Sequence, residues 1–347
     1  MPGILYVLRE SCGKIAWHLN KIRKFTPMKP LRLFALLYLC VLLLPSCKKD
    51  RLQWNSVFVM DAHTHRRLNR VQFMGSKICM AAGGEKFLQA VVLKSTDGGF
   101  HWQADSFSQA GKGMYGLTVA PSGKIYMCGM DGTVLSTPDT GRTWATGRLF
   151  DWGFYVSAAF PTADTGIFIS TSTSEKGIVT TADTAMHIIR QQSFSFGLNN
   201  IYMLNHSTGY ICGFGAILKT NDGGLSWGFL DVKGDNFTCM DIHGDEMWAC
   251  GINGGVYHSR NAGATWETLR NGNDFTLPAY RLNAIVFLDR ANGWAAGDDG
   301  LLLHTVDGGR HWMEYERFTS NSLRAIALYP DAYLLVAGDN GALYRVR

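Results

Sequence analysis

The sequence predicts an all-β fold, a single seven-bladed β-propeller with four-stranded blades, closed by an N-terminal strand. Three observations predict it. Glycine (39) far outnumbers proline (9) and is accompanied by 13 Tyr, 10 Trp and 19 Phe, a mix that favours short strands and tight turns over long helices. One short pattern recurs about every 40 residues through the body of the chain, the mark of a repeat architecture. The last repeat stops before its pattern is complete, while a matching fragment stands near the start of the body.

Ahead of the repeats lies an addressing segment. Leu33 to Leu44 is a run of 12 apolar residues, short for a membrane span and suited to the core of a signal peptide. Lys29 and Arg32 precede it, and Leu44-Pro45-Ser46-Cys47 follows it. That tetrapeptide resembles a bacterial lipobox, with Pro45 a less usual residue in it. The resemblance implies a signal peptide over residues 1–46, a lipidated Cys47 and a tether over 47–53. Met28 offers a second start that leaves a leader of 20 residues. An uncleaved anchor is the competing reading. The expected location is the cell envelope, lipid-anchored and extracytoplasmic.

The formal charge of +5 comes from this leader. Residues 1–47 hold seven Lys/Arg and one acidic residue, so the remaining chain has 26 basic and 27 acidic groups and a net charge of −1. Bulk binding of nucleic acid is therefore not expected. Of eight cysteines, five (Cys79, Cys128, Cys212, Cys239 and Cys250) lie in the body. An odd number argues against a disulfide framework.

The repeated pattern is Ser/Thr-x-Asp-x-Gly-x-x-Trp. Its copies centre on Asp97, Asp139, Asp222, Asn261 and Asp307, with a worn copy at Thr181, Asp183, Ala185 and Ile188. This is the Asp-box, or BNR repeat. A short carboxylate accepts backbone N–H groups across a tight turn, glycine supplies positive φ, and the Trp opens the next strand with a large apolar face. Before the boxes stands a second signature, seen at Tyr126–Gly132, Tyr210–Gly215, Trp248–Gly254, Trp294–Gly300 and Leu335–Gly341. It reads as a buried strand, a glycine turn and another strand. Four strands in about 40 residues make a propeller blade. The final copy ends at Arg347 with no box, and Trp54–Met60 is a box-type strand with no box before it. Pairing the two closes the ring and removes its open edge.

Gly297 to Trp312, GDDGLLLHTVDGGRHW, shows both signatures together. It resembles the photosystem II assembly and stability factor family, and the resemblance extends over residues 54–347. It implies a seven-bladed propeller that binds a membrane-protein client, has no enzymatic activity and needs no cofactor. The lipoprotein leader departs from a photosynthetic role, so the propeller and the binding role carry over and the photosystem does not. The expected partner is another envelope or membrane protein. The competing class is a carbohydrate-active hydrolase of sialidase or glycosidase type, which would place two or more carboxylates in the central pocket.

Asp61-Ala-His63-Thr-His65 carries a His-x-His pair, read here as a loop, with no metal site expected. Cys128, Cys212 and Cys250 occupy one repeat position and read as small buried residues. A turn at Gly244-Asp245 would set Cys239 opposite Cys250, leaving a cross-strand disulfide open. Finally, Arg67-Leu-Asn-Arg70, Arg281-Leu-Asn and Ser322-Leu-Arg324 align at the starts of the inner strands of blades 1, 6 and 7. These blades adjoin in a closed ring. Arg67, Arg70, Arg281 and Arg324 are therefore expected to converge on one channel rim as an anion-binding patch for an acidic segment or C-terminal carboxylate of the partner.

Overall fold

The computed structural model describes residues 54–107, 111–171, 176–329 and 333–347. The expected leader, lipobox, Cys47 and tether lie outside them. The described chain forms 28 strands in seven antiparallel sheets of four, the predicted seven-bladed propeller. Numbered from the first complete blade, the inner strands are Leu68–Phe73, Met114–Val119, Tyr155–Ala159, Leu198–Met203, Phe237–His243, Leu282–Phe287 and Leu323–Tyr329. Each blade runs outward by hairpins. In blade 6 the inner strand is followed by Gly293–Gly297, Leu302–Thr305 and Met313–Glu314.

This alternation gives the disc two unlike faces. Turns from inner to second strand, and the Asp-boxes from third to outer strand, lie on one side, the box face. Turns from second to third strand, and the links to the next blade, lie on the other, the rim face. Second strands are buried along their length, as in Ile125–Gly129, Gly209–Gly213 and Tyr333–Gly338. A sheet covered on both sides needs an unbroken apolar run rather than alternation. This explains why Cys128, Cys212 and Cys250, read as small buried residues, are at most 1% exposed. The core lies between blades. Leu68, Val71, Cys79 and Leu93 of blade 1, for example, pack on Leu335, Ala337 and Leu343 of blade 7.

The boxes behave as their residue types require. In the first, Ser95 Oγ donates to Asp97 Oδ1 at 2.8 Å and accepts the Gly99 N–H at 2.8 Å. Asp97 Oδ1 also accepts the N–H groups of Phe100 and His101, each at 3.0 Å. Asp139, Asp222 and Asp307 repeat this web, and Asn261 builds it with an amide. The worn copy keeps the carboxylate: Asp183 Oδ1 accepts from Ala185 and His187, each at 2.9 Å. Its hydrophobic plug differs from the aligned expectation. Ile188 is 37% exposed, while Met186, in a left-handed conformation, is buried in the Trp's stead. Boxes also join blades. Trp248 Nε1 donates to Gly308 O of the next box at 3.1 Å, and Tyr210 Oη donates to Ala262 O at 3.0 Å.

Closure follows the expected route. Val57–Val59 is the outer strand of blade 7, with Val57 opposite Val346 and Val59 opposite Tyr344. Ser56 and Arg347 exchange backbone bonds of 3.0 and 2.9 Å, and the Met60 N–H donates to Leu343 O at 2.8 Å. Trp54 stacks on Tyr315 with ring centroids 3.9 Å apart.

Candidate functional site

The rim face carries the arginines singled out above. The second residue of each inner strand turns toward the axis, so one residue from every blade edges the channel mouth: Asn69, Tyr115, Val156, Asn199, Thr238, Asn283 and Arg324. Four of them clasp the next blade by donating to the backbone carbonyl of its first inner-strand residue. Asn69 reaches Met114 O at 2.7 Å, Asn199 reaches Phe237 O at 2.7 Å, Thr238 reaches Leu282 O at 2.8 Å and Asn283 reaches Leu323 O at 2.9 Å. Small polar side chains at this position thus satisfy carbonyls that strand ladders leave unpaired. Alignment of the inner strands exposes this Leu-Asn or Phe-Thr step, but the carbonyl it meets belongs to the next blade, 38 to 45 residues away in the chain.

Arg324 takes the place of such a clasp in blade 7. Its guanidinium grips Asp339 at 2.8 Å and Asp298 at 3.3 Å. Arg67 reaches the other oxygen of Asp339 at 2.8 Å, and Arg281 the other oxygen of Asp298 at 3.4 Å. The result is an alternating ladder across blades 1, 7 and 6: Arg67, Asp339, Arg324, Asp298, Arg281. Arg70 stands apart from the ladder but shares the mouth with Arg324. It donates to Asn69 O at 3.1 Å and to Val156 O at 3.4 Å, and to no described carboxylate. The four arginines therefore share one rim.

The rim is not the bare cationic patch that the arginines alone would make. Asp298 and Asp339, in the glycine turns of blades 6 and 7, are the counterions. Burial on its own would raise the Asp339 carboxyl, but the hydrogen bond and charge of Arg324, followed by Arg67, outweigh it and hold the group below the usual carboxylate range. The same pairing raises Arg324 against the lowering effect of its burial. Three guanidiniums share two carboxylates and Arg70 adds a further charge at the same mouth, leaving a local excess of positive charge. The end members stay accessible, with side-chain exposures of 47% for Arg67 and 53% for Arg281.

Beside the ladder a groove of about 560 Å³ runs between blades 7 and 1, lined by His65, Arg67, Glu85, Phe87, Tyr115 and Asp339 among others. Phe87 and Leu88, in the hairpin turn above it, are 59% and 64% exposed. Its two carboxylates are engaged, Asp339 as above and Glu85 by Arg66 at 2.7 Å. The groove joins cationic and apolar surface at one edge of the mouth.

His63 lies in a loop, with Nδ1 3.0 Å from Asp61 and Nε2 3.1 Å from Trp102 O. Among the described residues no set of three His, Cys, Asp or Glu side chains could hold a metal ion. Cys239 does stand opposite Cys250, as the turn at Gly244-Asp245 requires, and both thiols are free. Tyr202 Oη lies 3.4 Å from Cys239 Sγ.

Comparison with known proteins places this architecture. No curated protein sequence matches the chain. Among solved structures, one described as YCF48 bound to D1 peptide superposes with a TM-score of 0.64 at 15% identity, over 86% of this chain and 96% of that one. YCF48 from Cyanidioschyzon merolae gives 0.63 at 15% identity, over 84% and 98%. The likeness of fold extends to unrelated propellers, for U3-55K gives 0.65 at 10% identity, over 85% and 99%. The repeats themselves are more specific: residues 192–278, spanning blades 4 and 5, match the family model described as Photosynthesis system II assembly factor YCF48, which upholds the resemblance drawn from the boxes over that stretch.

Proposed function

We propose that this chain is a non-catalytic, lipid-anchored binding or assembly factor of the cell envelope, which holds another envelope protein at the rim of Arg67, Arg70, Arg281 and Arg324. The observation that carries this reading is the ladder itself. Three guanidiniums share two carboxylates beside an open mouth and a groove, with the outer two half-exposed and Arg70 bound only to carbonyls. An arriving carboxylate completes such a set through bidentate hydrogen bonds. The YCF48 structure described as bound to D1 peptide, similar in fold, supports this reading.

The hydrolase reading is less favoured. The described residues that line the channel mouth include no Asp or Glu, and hydrolysis of a glycoside by the usual route needs a pair of carboxyl groups about 5 to 10 Å apart across the bond. The two ladder carboxylates, Asp298 and Asp339, are each committed to arginine.

The test is fluorescence anisotropy with acidic peptides carrying free or amidated C-termini. Binding should favour the free carboxylate, fall with salt and fall at least tenfold in the Arg67→Glu/Arg281→Glu double variant at unchanged melting temperature. Equal binding of both peptide forms, with no loss in the variant, would reject the rim as the docking site.

A further inference from the structure

The opposite face carries two cavities on either side of a single turn, residues 288–292 of blade 6. The first, about 450 Å³, opens between blades 5 and 6 and is lined by Arg260, Arg290 and Arg310 with Glu246, His258 and Asp307. The three arginines come from three separate turns, two of them Asp-boxes, and all are exposed. The acidic members are already engaged. Glu246 is 2.6 Å from His258 Nε2 and 3.3 Å from Arg290 Nε, and Asp307 is committed to its own box and to His311 at 2.6 Å. Arg260 and Arg310 make no salt bridge to any described residue. The cleft thus offers two unpaired guanidiniums and a third shared one, more positive charge than its carboxylates cancel.

The second cavity, about 350 Å³, opens between blades 6 and 7 and is mainly apolar, lined by Trp54, Leu288, Trp294, Leu328, Leu334 and Val346 among others. Both volumes fall in the range of small-molecule pockets, roughly 300–1,000 Å³. An anion site and an apolar slot flanking one turn match the two ends of an amphiphile.

We propose that the box face between blades 5 and 7 binds an anionic phospholipid, with its phosphate over the arginine cleft and an acyl chain in the Trp54–Trp294 cavity. Guanidinium forks on several loops suit the several oxygens of a phosphate, and the apolar lining rewards burial of methylenes. The inference does not depend on the rim reading, which concerns the other face.

The experiment uses the full chain in non-ionic detergent with phosphatidylglycerol bearing a photoactivatable group in its acyl chain, and maps the label by mass spectrometry. Label is expected on segments 286–296, 326–329 and 333–336, competed by unlabelled phosphatidylglycerol but not by phosphatidylcholine. Arg260→Glu/Arg310→Glu should lower it at least tenfold, with unaltered melting temperature showing that the fold survives. Label confined to residues 1–53, equal competition by the choline lipid, or undiminished label in the folded variant would overturn the proposal. Competition by inorganic phosphate as strong as by phosphatidylglycerol would overturn the lipid assignment and leave a simple phosphate site.

Discussion

At the scale of single residues, the boxes set the molecule's response to acid. The webs of N–H and hydroxyl donors bring Asp222 and Asp307 down to about 2, chiefly through Ser226 for Asp222, and through His311 against the raising effect of burial for Asp307. Asp139 is lowered chiefly by Thr143, and Asp183 by His187. A carboxyl lower in the folded than in the unfolded chain stabilises the fold above its unfolded value, about 3.9, and loses that contribution as pH falls toward the folded value. Stability should therefore decline between about pH 4 and pH 2. Asp222→Asn should remove part of that slope and resemble the natural Asn261 box. Urea midpoints measured at pH 7 and pH 2.5 check it, and an identical pH difference in variant and parent would contradict it. The boxes were legible because all their partners lie within four residues. The counterions of the rim were not read, although the signal existed. The hairpin that sets Leu282 opposite Gly297 brings Asp298 beside Arg281, by the same counting that placed Cys239 opposite Cys250. Arg67 with Asp339 is different, since that pair crosses from blade 1 to blade 7 and needs the closed ring.

At the scale of elements, second and third strands announced themselves by pattern, and outer strands only by the box Trp that opens them. A second strand is covered on both sides, so its sequence is constrained at every position. An outer strand has one hydrogen-bonded neighbour and a solvated edge. Gly228–Phe229 and Met313–Glu314 are only two residues long, too short for any periodicity to show. The closing strand was legible only through the missing box. Its weight can be measured. Met60→Pro removes the N–H that bonds Leu343 O at 2.8 Å, and proline cannot replace the donor. The expected loss is about 0.5–1.5 kcal/mol for the hydrogen bond, seen as a lower melting temperature with the box webs intact. Unchanged melting would mean that Trp54 stacking and the Ser56–Arg347 exchange close blade 7 without it.

At the scale of the whole molecule, the propeller separates its two proposed surfaces by construction. Every inner strand begins at the rim face and ends at the box face, so the arginine ladder and the arginine cleft occupy opposite faces of one ring. Long seams of core between all blades, rather than one hinge, join the faces. The ladder and the cleft share no residue, and coupling requires an element whose arrangement both sites bias. Acidic peptide and anionic phospholipid should therefore bind together and independently. Peptide affinity measured by anisotropy should agree within about twofold with and without saturating phosphatidylglycerol, because a coupling free energy near zero leaves both constants unchanged. The variants should separate as cleanly, with Arg67→Glu/Arg281→Glu abolishing the peptide's response alone and Arg260→Glu/Arg310→Glu the lipid's alone. Mutual competition would mean that both anions use one set of arginines, and would merge the two faces into a single site.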